Sequence, residues 1–156
     1  MDHRERTLEE LGFPLDRVPQ TAALYRPLVL HGTTAYVSGA LPFDGPGQLR
    51  WRGKVGGELS LEEGKEAARL CAANLLRVLR QELGALTRIH RVLRLGGYVN
   101  TAPDFTDQHL VINGASELLV AVLGEAGQHA RSAFGVAQLP LGAAVEVDAV
   151  VEVTER

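Results

Sequence analysis

From Val145 to Val153 the chain alternates. Val145, Val147, Ala149, Val151 and Val153 fall on one side of an extended backbone, and Glu146, Asp148 and Glu152 on the other. A period of two is the signature of a strand with one buried and one open face, so this segment commits the fold to a sheet covered on one side. The apolar run that starts at Arg131 is separated from it by Pro140 and Gly142, which are turn residues. The pattern predicts a pair of strands joined by a tight loop, with the Arg131 fork at the start of one close to the carboxylates of the other. Taken from pattern alone, Arg131 and Glu146 read equally as an ordinary ion pair or as solvated strand ends.

The elements that cover such a sheet are legible upstream. Ser60 and Glu63 form a capping box, and a stripe of Ala68, Cys71, Ala72, Leu75, Leu76, Leu79 and Leu83 follows at helical spacing before Gly84 stops the helix. A second helix is predicted from about His109 to Leu123, ending at Gly124. Thr7 and Glu10 suggest a short helix reaching Gly12. Strands are expected at about Tyr25 to His31 and Ala35 to Gly39 with Gly32-Thr33 as their turn, in a third short piece at Arg50 to Arg52, and in a run ending at Val99. This is an α+β chain with a mixed sheet of five or six strands and two helices on one face. Its 156 residues fit a single domain, residues 1–156, in which 1–23 read as an N-terminal extension with a short helix. Two helices shield one sheet face, which leaves the Glu146 side to be covered by something else.

Composition narrows the function classes. The net charge is −3, and the nearest approach to a basic cluster, Arg88, His90, Arg91 and Arg94, has no aromatic residues interleaved for base stacking, so nucleic acid is not an expected partner. Cys71 stands alone and reads as a small buried hydrophobe. The start, Met1-Asp2-His3-Arg4-Glu5-Arg6, is too charged for a signal peptide, and no apolar run approaches a membrane span, so the default location is cytoplasmic and no membrane partner is expected. The five histidines lack metal-ligand spacing, Gly96-Gly97 lacks the rest of a phosphate loop, and neither Lys54 nor Lys65 sits in a Schiff-base context, so neither a metal nor a cofactor is expected.

Several motifs occur together. Arg131-Ser132 is followed by Leu139-Pro140 and then by Val145-Glu146; Tyr25 lies thirteen residues before Ser38-Gly39; Gly84 to Ile89, Pro103-Asp104-Phe105 and Ile112-Asn113 fall between. In this wording and spacing, from about Leu24 to Val153, the chain resembles the YjgF/RidA family. That resemblance implies a chorismate-mutase-like protomer assembled as a homotrimer, with open sheet faces turned inward and sites in the clefts between protomers. It further implies that Arg131 holds a substrate carboxylate and Glu146 positions a water, with Ser38 and Asn113 as hydrogen-bonding residues and Tyr25 as a wall. The reaction so implied is hydrolytic deamination of small 2-imino or 2-enamino acids to 2-oxo acids and ammonia, by a cofactor-independent hydrolase acting on C–N bonds. A non-catalytic protein that binds small carboxylates through the same cleft is the second reading, and a ribonuclease or translation inhibitor the third. Tyr25 also reads as a strand-edge aromatic and Asn113 as a helix N-cap. The chain departs from the family in Ala23-Leu24 before Tyr25, and in Ala133-Phe134-Gly135, where a thiol and a carboxylate are usual. It resembles a divergent subgroup.

Overall fold

The computed structural model describes residues 1–20 and 24–155. Ala23 and the end of the expected N-terminal extension, residues 21–23, lie outside the described residues. The elements are α1 (His3–Glu10), β1 (Leu28–His31), β2 (Thr34–Ala40), α2 (Leu61–Leu83), β3 (Ile89–Asn100), α3 (Gln108–Leu123), β4 (Ala130–Val136) and β5 (Val145–Val153). The sheet has five strands in the order β1-β2-β5-β3-β4, antiparallel except where β3 meets β4.

Local chemistry sets most boundaries. Ser60 accepts from the Glu63 amide while Glu63 reaches back to Ser60, and Gly84 ends α2 in the left-handed region at φ 91°. At the amino terminus the capping box is not Thr7 with Glu10. Asp2 and Glu5 make it, and the Thr7 hydroxyl donates instead to His3 O inside the helix. Glu5 is only 2% exposed and faces Arg80, so tertiary contact selects the earlier of the two boxes. Leu8 is fully buried, and Arg4 donates to Leu86 O and Ile89 O. The sheet therefore has three helices around it, two of which, α2 and α3, form its covering layer. The expected strand at Arg50–Arg52 is a single bridge, Arg52 to Ala143.

The expected pairing of the last two strands is overturned. β3 lies between β4 and β5 and pairs with both. The reason is the crossover: α3 carries the chain from the end of β3 back to its start, so β4 enters parallel to β3, and the turn at Pro140–Gly142 sends β5 over to the far side of β3. β5 is thus central, with Val145, Val147, Ala149, Val151 and Val153 buried under the helices. The alternation read in the sequence holds along its full length.

One stretch, Gln108–Gly127, is apolar and long enough to cross a membrane, contrary to the expectation from sequence. Its Val111, Ile112, Leu118 and Leu119 are buried, and α3 packs on α2 as a core helix does. Close approach depends on Gly114, where an added Cβ would strike the Lys65 carbonyl of α2. Gly114→Ala is expected to destabilise the protein by about 1–3 kcal/mol through overpacking, read as a fall of several degrees in Tm by calorimetry. An unchanged Tm would mean that the two helices slide apart at no cost.

Candidate functional site

Register places Arg131 and Glu146 on opposite faces of the sheet. Leu95 of β3 stands beside both Arg131 and Ala149. Ala149 points into the core, so Arg131 points to the helix side, and Glu146, three residues from Ala149, points away. Their side-chain contacts agree. Arg131 donates through Nη1 to Asn113 Oδ1 (2.9 Å) and Ser116 Oγ (3.1 Å), and through Nη2 to His109 O (3.2 Å), all on α3. Its Nε–H and one of its two Nη2 hydrogens have no acceptor among the described residues and remain to be offered to a ligand.

On the other face β2 carries one extra residue, because Val37 pairs with Ala149 but Ala40 pairs with Val147. The bulge brings Gly39 against Glu146: a Cβ at position 39 would lie 2.8 Å from Glu146 Oε2. Burial raises the Glu146 pKa above its ordinary value, and the neighbouring Asp148 charge raises it further. Asp148 accepts from Tyr98 Oη at 3.0 Å and has Arg94 at 3.9 Å, so the two carboxylates sit in different surroundings. Beneath Glu146, Cys71 is fully buried and donates weakly to Val145 O, its thiol pKa pushed well up by burial and by Glu146.

Ser38 donates to Arg26 O at 2.6 Å, and its amide donates to Pro27 O. With Tyr25 and Gly39 it lines a cavity of about 90 Å³ whose apolar floor includes Leu75 and Val78. Tyr25 precedes β1 and is 57% exposed. A larger cavity of about 700 Å³ lies under residues 15–20, beside Arg80, and has none of the candidate residues in its wall.

On one chain Gly39 lines the cavity of Tyr25 and Ser38 and also stands against Glu146, which is not in that cavity's wall, while Arg131 lies with Asn113 on the helix side. Asn113 is not an N-cap, since Asp107 occupies that position and Asn113 lies inside α3. Two residues that sequence reasoning passed over join the Arg131 cluster, Ser116 and His129. The signals were present: Ser116 is one helical turn beyond Asn113, and His129 precedes Arg131 by one strand period. At Gly135 an added Cβ would lie 2.7 Å from Thr101 Oγ1 and 2.9 Å from Gln108 Nε2, so these side chains occupy the room that a carboxylate there would use.

Residues 5–153 match the family model described as YjgF/chorismate mutase-like, putative endoribonuclease. Protein TCP17 of Trypanosoma cruzi is 46% identical over 146 residues, which is 93% of this chain and 91% of that protein. The crystal structure of Atu1372 from Agrobacterium tumefaciens, a protein of unknown function, superposes with a TM-score of 0.91 at 45% identity, covering 97% of this chain and 92% of that one. RidA from an Antarctic Psychrobacter gives a TM-score of 0.62 at 26% identity, over 88% and 95% of the two chains.

Proposed function

The chain belongs to the YjgF/chorismate-mutase-like family, and we propose that it hydrolyses small 2-imino or 2-enamino acids to 2-oxo acids and ammonia at a site shared between copies of the chain. The observation that carries this reading is the placement of Arg131 and Glu146 on opposite faces of one sheet, which leaves each chain with two half-sites. In a closed homotrimer the Arg131 side of one copy meets the Glu146 side of the next. The surface for such contact exists: Val29, Tyr36 and Val150 lie side by side across β1, β2 and β5 on the open face, with Val29 and Tyr36 each 53% exposed.

The division of labour follows from the chemistry. The free fork of Arg131 takes the substrate carboxylate by two charge-assisted hydrogen bonds, each worth about 1.5–3 kcal/mol. On the protonated imine, Glu146 of the neighbouring copy accepts a proton from water as its oxygen attacks the imine carbon, giving a neutral carbinolamine. The same carboxyl returns that proton to nitrogen, then takes the hydroxyl proton as the C–N bond breaks and the carbonyl forms, and ammonia leaves, carrying that last proton away as ammonium. A raised pKa suits this exchange, since it makes the Glu146 carboxylate a stronger base than an ordinary one. Ser38 and Tyr25 wall the Glu146 side, and Asn113 steadies the clamp. Three carboxylates on the open face, Glu146, Asp148 and Glu152, speak against RNA as the substrate.

The test is a coupled assay of 2-oxo acid release from imino acids generated in place by an amino-acid oxidase. Release faster than in buffer is the expected result. Equal rates with and without protein, together with calorimetric binding of pyruvate or benzoate, would replace the deaminase by a carboxylate-binding protein.

A further inference from the structure

Behind Arg131 lies a chain of hydrogen bonds whose proton positions can all be deduced. His129 Nδ1 is 2.6 Å from Gly127 O, and a carbonyl only accepts, so Nδ1 carries the hydrogen. Burial, with Arg131 nearby, holds the His129 pKa below its ordinary value, so the ring is neutral at pH 7 and Nε2 bears a lone pair. Ser116 Oγ, 2.9 Å away, therefore donates to Nε2, and its own lone pairs face Arg131 Nη1. The sequence runs one way: Arg131 donates to Ser116, Ser116 to His129, and His129 to Gly127. Donation along such a chain polarises each member and strengthens the acceptor at its head.

Both ends of the chain are tied to α3. Ser116 is part of that helix, and Gly127 is pressed so closely on the Leu119 carbonyl that no Cβ fits. Nη1 is saturated by Ser116 and Asn113, and Nη2 is held by His109 O. What remains free is the Nε–H and one Nη2 hydrogen.

We propose that Ser116 and His129 are positioning residues which, with Asn113, lock the Arg131 guanidinium so that its Nε–H and remaining Nη2 hydrogen are presented together to a planar carboxylate. This rests on the reading of Arg131 as the clamp, and adds that the clamp is preorganised rather than formed on binding.

The experiment has two independent readouts on the intact protein. In 15N–1H spectra without ligand, the Arg131 Nη hydrogens of the wild type give separate signals, because rotation of the guanidinium is blocked. In Ser116→Ala those signals merge, in His129→Phe they broaden, and in Ser116→Thr, which keeps the hydroxyl, they stay separate. In benzoate titrations by calorimetry, Ser116→Ala binds about ten-fold more weakly and Ser116→Thr stays close to wild type. Separate Nη signals and unchanged benzoate affinity in both Ser116→Ala and His129→Phe would overturn the proposal. If wild type binds no benzoate while the Nη signals respond as stated, the clamp reading fails and the locking of Arg131 stands.

Discussion

Co-expression of Arg131→Ala with Glu146→Gln, each inactive alone, is expected to return about a quarter of wild-type imine hydrolysis through mixed assemblies of symmetric interfaces. The expectation comes from strand register. Leu95 aligns with Arg131 on one side and with Ala149 on the other, which commits Arg131 and Glu146 to opposite faces. In a mixed assembly, a chain that keeps Arg131 can stand beside one that keeps Glu146, and with equal random mixing one site in four meets both conditions. A site built within one chain would recover nothing, because every chain is then defective. Activity at the level of the separate variants, in a preparation shown by mass spectrometry to contain both chains in one assembly, would refute the shared site.

Glu146→Gln alone should lower imine hydrolysis by about 10² to 10⁴, the usual contribution of a general base, while benzoate affinity changes little because the clamp lies on another face. A second effect should accompany it. Burial and Asp148 raise the pKa of Glu146 in the folded protein, so the native state binds a proton more tightly than the unfolded chain does. The stability this gives is fully present below the ordinary value of 4.5 and is lost as pH rises through the raised native value. Above that raised value the wild type holds a half-buried charge that glutamine lacks. Glu146→Gln should therefore melt higher than wild type at pH 7, with the difference narrowing toward pH 4. A variant less stable at pH 7 and still active would place Glu146 among the structural residues.

What could be read from the sequence was what neighbours in sequence decide. Ser60, Glu63 and Gly84 delimit α2 because capping is settled within four residues, and β5 was legible because its two faces differ at every step. The pairing of β4 was not legible: Pro140 and Gly142 look the same whether the chain doubles back or crosses to the far side of β3. That one uncertainty governed the site. On paired strands Arg131 and Glu146 would be near neighbours; with β3 between their strands they lie on opposite faces. Thr7 lost its capping role to Asp2 through the burial of Glu5, a contact with no sequence mark. Ser116 and His129 each carry a local mark, a helical turn from Asn113 and a strand period from Arg131, but the hydrogen bond that joins them links a helix to the turn before a strand, at a spacing no motif prescribes.

The bulge in β2 has a bearing on how relatives of this chain should be judged. Glu146 can take this position because residue 39 has no side chain, so the glutamate by itself does not fix where its carboxylate lies. A gene that keeps the glutamate but acquires alanine at position 39 retains every polar letter of the site, yet the added methyl group pushes the carboxylate out of this position. One methyl group at position 39 thus records a displaced carboxylate that a count of polar residues passes over.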